Sequence, residues 1–446
     1  MVHRLTNRAK FLALTTWCLA PAAQASGSPQ AFAVPVEFLL FAATLLGVAL
    51  FHHHVLRVAL TGLVMLAWYK IAVTGFRTGA GVAGFAHHMA DEWVLLVNLL
   101  CLLVGFALLA RHFEESGVPE SLPRLLPEGW LGPFGLLAII WALSSFLDNI
   151  VGALIGGTVA ASVFKRRLHV GYLAAIVAAA NAGGAWSVVG DTTTTMMWIA
   201  GVSPVDLSRA ILSSLVALVV FGIPAALQQH GHQPIVRQLQ GAQRLDWVRV
   251  GIVCHVLATA IGTNIIVNLE FPEAADEFPL LGASVWVALL LAAPLRRLEW
   301  SLLPDALKGS LFLLALVSCA SMMPVEELPA ASWQTALSLG FVSAVFDNIP
   351  LTAMALKQGG YDWGMLAFAV GFGGSMLWFG SSAGVALANL FPECRSARKW
   401  LLHGWHIPLG YLAGFFALLL MLGWQPAAAL KGSPIQPSEA SHSPTP

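Results

Sequence analysis

Residues 181–195 read Asn-Ala-Gly-Gly-Ala-Trp-Ser-Val-Val-Gly-Asp-Thr-Thr-Thr-Thr, inside an otherwise apolar stretch running from 169 to 200. Gly183-Gly184 and Gly190 interrupt any helix there, and Asp191 places a carboxylate at the second interruption with four hydroxyls behind it. In a bilayer, such an interruption frees backbone amides and carbonyls at a depth where no water satisfies them. It is tolerated only where it lines a cavity or binds something, and the same holds for a carboxylate in an apolar segment. The stretch therefore predicts a broken crossing helix that faces protein rather than lipid.

Composition supplies the bilayer. Of 446 residues, 57% are hydrophobic and only 10% charged, with mean hydropathy +0.75. Soluble domains carry about 25% charge, so this chain has too little to cover a water-facing surface of its size. Its 23 basic and 23 acidic residues balance and form no basic stripe, which argues against a nucleic-acid partner. Cys18, Cys101, Cys254, Cys319 and Cys394 are scattered and odd in number, with neither metal-ligand spacing nor a disulfide framework. The expectation is an all-α polytopic membrane protein with the lipid bilayer as solvent.

Working outward, segments able to cross fall at about 34–51, 56–74, 92–110, 169–200, 209–227, 247–267, 280–295, 308–324, 361–391 and 401–424, about ten in all. Two more, 131–164 and 330–357, are hydrophobic but carry Asp-Asn in the middle. These read as re-entrant hairpins with the polar pair at a shielded, non-helical tip. At the start, Arg4, Arg8 and Lys10, a short apolar core from Phe11 to Ala20, and Ala23-Gln24-Ala25 read as a signal peptide over 1–25. Residues 425–446, rich in Pro and Ser, read as a disordered tail.

With the mature N-terminus outside, the inner connections collect fifteen Lys and Arg residues, including Arg111, Arg124, Lys165, Arg166 and Arg167, while the outer connections and tail hold four: Arg77, Arg209, Lys357 and Lys431. That is the positive-inside bias of a bacterial-type inner (plasma) membrane protein.

The chain also repeats itself. Ser145 to Ile150 (SFLDNI) is matched by Ala344 to Ile349 (AVFDNI), at an offset of 199 residues. Gly183-Gly184, five residues, then Gly190-Asp191-Thr192 is matched by Gly373-Gly374, five residues, then Gly380-Ser381-Ser382, at an offset of 190. Five crossings separate the hairpins, so they enter from opposite sides. The expected domains are two inverted-topology repeats, 34–227 and 247–424, joined by a cytoplasmic linker over 228–246, with a site at the midplane between them.

Asp148, Asp191 and Asp347 are the three carboxylates inside apolar segments, and they are the sodium-ligand candidates. Carboxylates, hydroxyls, amides and freed backbone carbonyls are hard oxygen donors, the kind that small hard cations prefer. A carboxylate in apolar surroundings holds a proton or a cation rather than a bare charge, so the two can compete for one group. That competition is the simplest mechanism for an exchanger. One Asp-Asn pair on its own reads equally as a helix cap. Two pairs at matching positions, each with a matching glycine break, argue for a shared site. The hydroxyls after Asp191 belong to it or serve only as packing and capping.

The strings SSFLDNI, NAGGAWSVVGDTTTTMMWIAG, VFDNIPLTAMAL and GFGGSMLWFGSSAGV resemble those of NhaD-type sodium/proton antiporters. These form part of a wider ion transporter superfamily with arsenite exporters and sodium-coupled dicarboxylate and citrate carriers. The resemblance covers roughly residues 90–425. It implies a scaffold domain and a moving transport domain, usually in a homodimer, exchanging Na⁺ or Li⁺ for H⁺ with no cofactor and no enzymatic step. Carried over by motif, the ion-binding positions are Asp148 and Asn149 at the first tip; Asn181, Asp191, Thr193 and Thr194 around the first break; Ser343, Asp347 and Asn348 at the second tip; and Ser381 and Ser382 at the second break.

Two rivals have readable discriminants. A sodium-coupled dicarboxylate or citrate symporter must hold a polyanion, which two Asp-bearing tips would repel. An intramembrane aspartyl protease also pairs membrane carboxylates, but the Gly190-Asp191 pair has Val188 where a Gly-x-Gly-Asp motif needs its first glycine.

Other polar residues in apolar company have plainer readings. His52, His53 and His54 are consecutive and diverge on a helix, so they suit an interfacial cluster. Lys70, beside Trp68 and Tyr69, is expected to snorkel. His255 is expected to pack with a hydrogen bond, and Glu114 and Glu115 to be solvated loop charges.

Overall fold

A computed structural model gives the fold and describes residues 30–31, 34–51, 54–235 and 245–427. The signal segment, His52, His53, much of the linker and nearly all of the tail lie outside the described residues. Apart from a two-rung pairing of Gln30–Ala31 with Val34–Pro35, the described chain is helical.

In chain order the helices are α1 (Val36–Leu50), α2 (Val55–Tyr69), α3 (Gly81–Glu114), α4 (Leu131–Ser144), α5 (Asn149–Val163), α6 (Val170–Gly184), α7 (Thr192–Ile199) and α8 (Ala210–His232). They continue as α9 (Trp247–Glu270), α10 (Leu280–Ala292), α11 (Leu303–Ser321), α12 (Trp333–Ser343), α13 (Asn348–Gln358), α14 (Trp363–Gly373), α15 (Ser382–Leu390) and α16 (His406–Leu422). Five stretches are long and apolar enough to cross a bilayer: 55–74, 81–114, 204–232, 247–267 and 300–321. Ala397–His403 with α16, bent by 61°, makes a sixth. This is a polytopic helical membrane protein.

The deepest elements are α6 and α14. Every residue of α14, and of α6 from Gly171 onward, is buried. Alanines and glycines make this possible in α6, because small side chains let neighbouring backbones approach closely. Helix α6 packs on α4, α5 and α8, while α14 packs on α12, α13 and α16, and α8 lies along α16. The broken segments cross over: α7 packs against α13, and α15 against α5. Helices α1 to α3 and α9 to α11 form a second group, with α2 on α1 and α11, and α3 on α9, α10 and α11.

Glycine permits the closest approaches. A Cβ on Gly190 would sit 2.4 Å from the Ser144 carbonyl, and one on Gly380 2.4 Å from the Ala344 carbonyl. Each break is thereby pressed backbone to backbone against the hairpin tip of its own half.

The glycine breaks expected in 169–200 and 361–391 are present: the first segment is two helices with a turn over 185–191, and the second breaks after the short turn Gly374–Met376 that continues α14. Other expectations need correction. Helix α3 begins at Gly81 instead of 92 because His87, His88, Asp91 and Glu92 dilute the hydropathy there without stopping the helix. Part of that polarity is sheltered, with buried His88 3.1 Å from the Ser321 hydroxyl and stacked on Phe76. Lys70 does not snorkel. It is buried, 4.0 Å from the fully buried Glu37 and 5.7 Å from the Phe76 ring centre, so its charge is answered inside the protein.

His255 is exposed on α9 instead of packed. Glu114 and Glu115 are not free charges: Arg111 pairs with both, at 3.1 and 3.0 Å, and Arg249 holds Glu115 at 2.6 Å. Asp246 caps α9 and takes both ends of the Arg296 guanidinium at 2.7 and 3.2 Å, which ties α9 to the turn after α10.

Candidate ion-binding site

Four helix N-termini meet at one place, and each is capped by a residue the repeat singles out. Asp148 accepts from the Ile150 N–H at the start of α5 (2.9 Å), and Asp347 from the Ile349 N–H at the start of α13 (3.1 Å). Asp191 accepts from the Thr193 N–H at the start of α7 (3.1 Å), and Ser381 from the Gly384 N–H at the start of α15 (3.2 Å). The capping reading of the Asp-Asn pairs is therefore correct, and it leaves each carboxylate a second oxygen. Asp347 Oδ2 accepts from the Ser382 hydroxyl (3.1 Å), Asp191 Oδ2 from the Asn348 amide (3.3 Å), and Thr192 is a side-chain hydrogen-bond partner of Asp148.

Neutral amides complete the circuit. Asn149 Nδ2 donates to Asn181 Oδ1 (3.1 Å), and Asn181 Nδ2 donates to the hydroxyls of Ser375 (2.9 Å) and Ser381 (3.1 Å). From Asp148 through Thr192 and Asp191, Asn348 and Asp347, Ser382 and Ser381, and back by Asn181 and Asn149, five hydrogen bonds and four pairs of chain neighbours close a ring. Asn181, Asp191, Asn149, Asn348 and Ser381 are buried, while Asp148, Asp347 and Ser382 are half-buried.

Eight of the eleven expected positions lie in this ring, and the other three lie beside it. Thr194 spends its hydroxyl on the Asp191 carbonyl (2.9 Å), and Ser343 spends its own on the Val370 carbonyl (2.7 Å), joining α12 to α14. Thr193 is a side-chain hydrogen-bond partner of Asp191. Among the described residues no three His, Cys, Asp or Glu side chains come close enough to share one metal ion. Asp148, Asp191 and Asp347 therefore do not form a single cage, and any cation here takes most of its ligands from hydroxyls, amides and carbonyls.

Thr192 in the ring, and Ser375 bound to Asn181 beside it, were not among the expected positions. Thr192 is the repeat partner of Ser382, so the offset of 190 already pointed to it. Ser375 corresponds to Ala185 and Asn181 to Gly371, so the repeat carries no signal for Ser375. A cavity of about 220 Å³ touches Asp148, Asp191 and Thr192 and is closed on the other side by α3 and α11.

No family model matches the chain. Among curated proteins it is similar to sodium/proton antiporter 1 of Arabidopsis thaliana, 27% identical over 377 residues, covering 72% of this chain and 61% of the relative. It is also similar to the Na⁺/H⁺ antiporter NhaD of Alkalimonas amylolytica (29% over 363 residues; 68% and 72% covered) and of Vibrio parahaemolyticus (26% over 425 residues; 79% and 93%). The chain is similar to NhaD-type sodium/proton antiporters over most of its length. It spans about three fifths of the length of the Arabidopsis relative and nearly all of the Vibrio NhaD.

Proposed function

We propose that the protein is a secondary antiporter that exchanges Na⁺ or Li⁺ for H⁺ across a bacterial-type inner membrane, with the ring as its ion site. Two inverted repeats, with α1 to α3 and α9 to α11 as scaffold and the remaining helices as the moving part, would place the ring at the midplane. As the resemblance implies, it works as a homodimer, with no cofactor and no enzymatic step.

Charge balance around the ring carries this reading. Each helix N-terminus presents about half a positive charge, but α4, α6, α12 and α14 end at the same tips and breaks with about half a negative charge each, so the helix ends roughly cancel. What remains is the negative charge of Asp148, Asp191 and Asp347 with no basic side chain in the ring, which cations or protons would answer. A citrate or dicarboxylate would add negative charge to a site already short of positive charge. Water activation by paired carboxylates, as in a protease, gains no support from carboxylates held apart by Thr192, Asn348 and Ser382.

Everted membrane vesicles provide the test. Na⁺ or Li⁺ added to vesicles carrying the protein should collapse a respiration-generated pH gradient, and labelled citrate or succinate should not accumulate under a Na⁺ gradient. Verified protein that gives no response to Na⁺, Li⁺ or K⁺ at neutral to alkaline pH ends the cation reading.

A further inference from the structure

The two halves differ beside the ring. Helix α5 runs away from Asp148, and the only exposed residues along it are Thr158 and Ser162, one turn apart and both hydroxylated. Both line a second cavity, of about 560 Å³, whose opposite wall is the end of α3 at Arg111, Glu114 and Glu115. The cavity at the ring is bounded by the same two helices one step further in, by Ile150 and Val151 of α5 and by residues 99–107 of α3. The two cavities thus follow one crevice between α3 and α5, from the basic Lys165-Arg166-Arg167 face toward Asp148 and Asp191. Thr158 donates its hydroxyl to the Leu154 carbonyl (2.8 Å), so it is the cavity that Thr158 and Ser162 line together with Arg111, Glu114 and Glu115 that gives water room in the crevice.

The offset of 199 carries Thr158 onto Lys357 of α13. There the corresponding crevice, between the end of α11 and α13, is filled. Helix α13 packs along α11, and Lys357 Nζ donates to the Ser321 carbonyl at the last turn of α11. Lysine is suited to this because the final carbonyls of a helix lack intrahelical partners and carry partial negative charge.

We infer that the α3–α5 crevice is the cytoplasmic access route of a hydrated monovalent cation to the ring, and that Lys357 is the positioning residue that closes the matching route on the far side. The inference rests on the antiport reading and the inverted repeat, and adds to them the path and the state. The structure is open inward, and the opposite state exchanges the two crevices, freeing Lys357 from Ser321 and closing α3 onto Thr158.

Cysteine accessibility tests this without relying on transport. Thr158→Cys and Ser162→Cys, measured above the labelling of the unsubstituted chain, should react with an impermeant quaternary-ammonium methanethiosulfonate. In everted vesicles the rate should be about tenfold or more above that of Ala160→Cys, a buried position on the same helix, and above the rate in intact cells. Lys357→Met should slow labelling at Thr158→Cys several-fold by releasing the closed side, and Lys357→Arg should restore it; a purely structural lysine would leave the rate unchanged.

Labelling of both cysteines no faster than Ala160→Cys, with the protein present in the membrane, overturns the route. An unaltered rate in Lys357→Met overturns the role of Lys357. Fast labelling in a protein that exchanges no cation leaves the route standing and removes the antiport reading instead.

Discussion

Asp191 and Asp347 each split their two oxygens between a backbone N–H and the ring, and this division separates folding from function. Asparagine caps a helix about as well as aspartate, so Asp191→Asn should keep the start of α7 while removing the charge that answers a cation. Na⁺-dependent proton flux in everted vesicles should fall about 100-fold at unchanged protein abundance, the scale of losing a charge-assisted contact. Asn181 works differently. It carries no charge but joins Asn149 to Ser375 and Ser381, all within the interior. Asn181→Ala leaves the Asn149 amide and the Ser375 hydroxyl without these partners, while Ser381 keeps the Gly384 N–H; the cost is about 1–3 kcal/mol, and the change should lower the unfolding temperature of the detergent-solubilised protein as well as its flux. The carboxylates were legible in the sequence because charge is rare in apolar segments. Thr193 and Thr194 drew attention by resemblance; Thr193 reaches Asp191, while the contact to Asp148 is made by Thr192. A helix turns about 100° per residue, so only one of consecutive hydroxyls faces a given neighbour.

At the scale of elements, the breaks are held in place by backbone contact. A methyl at Gly190 or Gly380 meets a carbonyl 2.4 Å away on a hairpin tip, and neither backbone has a flexible side chain that can yield. Gly190→Ala and Gly380→Ala should each displace a tip, and thermal unfolding in detergent should show a clear loss of stability together with loss of flux. Gly262, inside α9 with nothing within 4 Å of its would-be Cβ, is the control. Gly262→Ala should be neutral or stabilising by up to about 1 kcal/mol, the helix preference of alanine over glycine. Glycine breaks and hairpin tips could be read from local pattern, since each breaks an apolar run. The start of α3 could not, because His88 and Glu92 look like a helix end until the distant Ser321 supplies His88 with a partner. Lys70 misled for the same reason, its counter-charge Glu37 lying on another helix.

For the whole molecule, charge is concentrated in two kinds of place, the rim and the ring. At the rim, the hydrogen bond from Arg296 holds the Asp246 carboxyl below the usual carboxylate range. A carboxylate depressed in the folded state adds stability above its unfolded pKa of about 3.9 and loses it as pH falls through the lower folded value. Asp246→Asn should therefore lower the unfolding temperature at neutral pH, and the gap to the unsubstituted protein should close in strong acid. The ring obeys a different constraint. Its contacts cross between halves, Asn348 to Asp191 and Asn181 to Ser381, so its closure depends on packing that no local stretch of sequence specifies. Once closed, it gathers three carboxylates and no basic side chain, so on the antiport reading a cation and a proton compete for the same oxygens. If one proton displaces one cation, the apparent KM for Na⁺ should rise about tenfold for each unit by which pH falls below the point where the ring takes up its proton, while the maximal flux reached at saturating Na⁺ stays the same. Flux measured across a matrix of pH and Na⁺ concentrations decides the matter: a KM independent of pH, with only the maximal rate changing, would mean that proton and cation occupy separate groups and do not compete for one carboxylate.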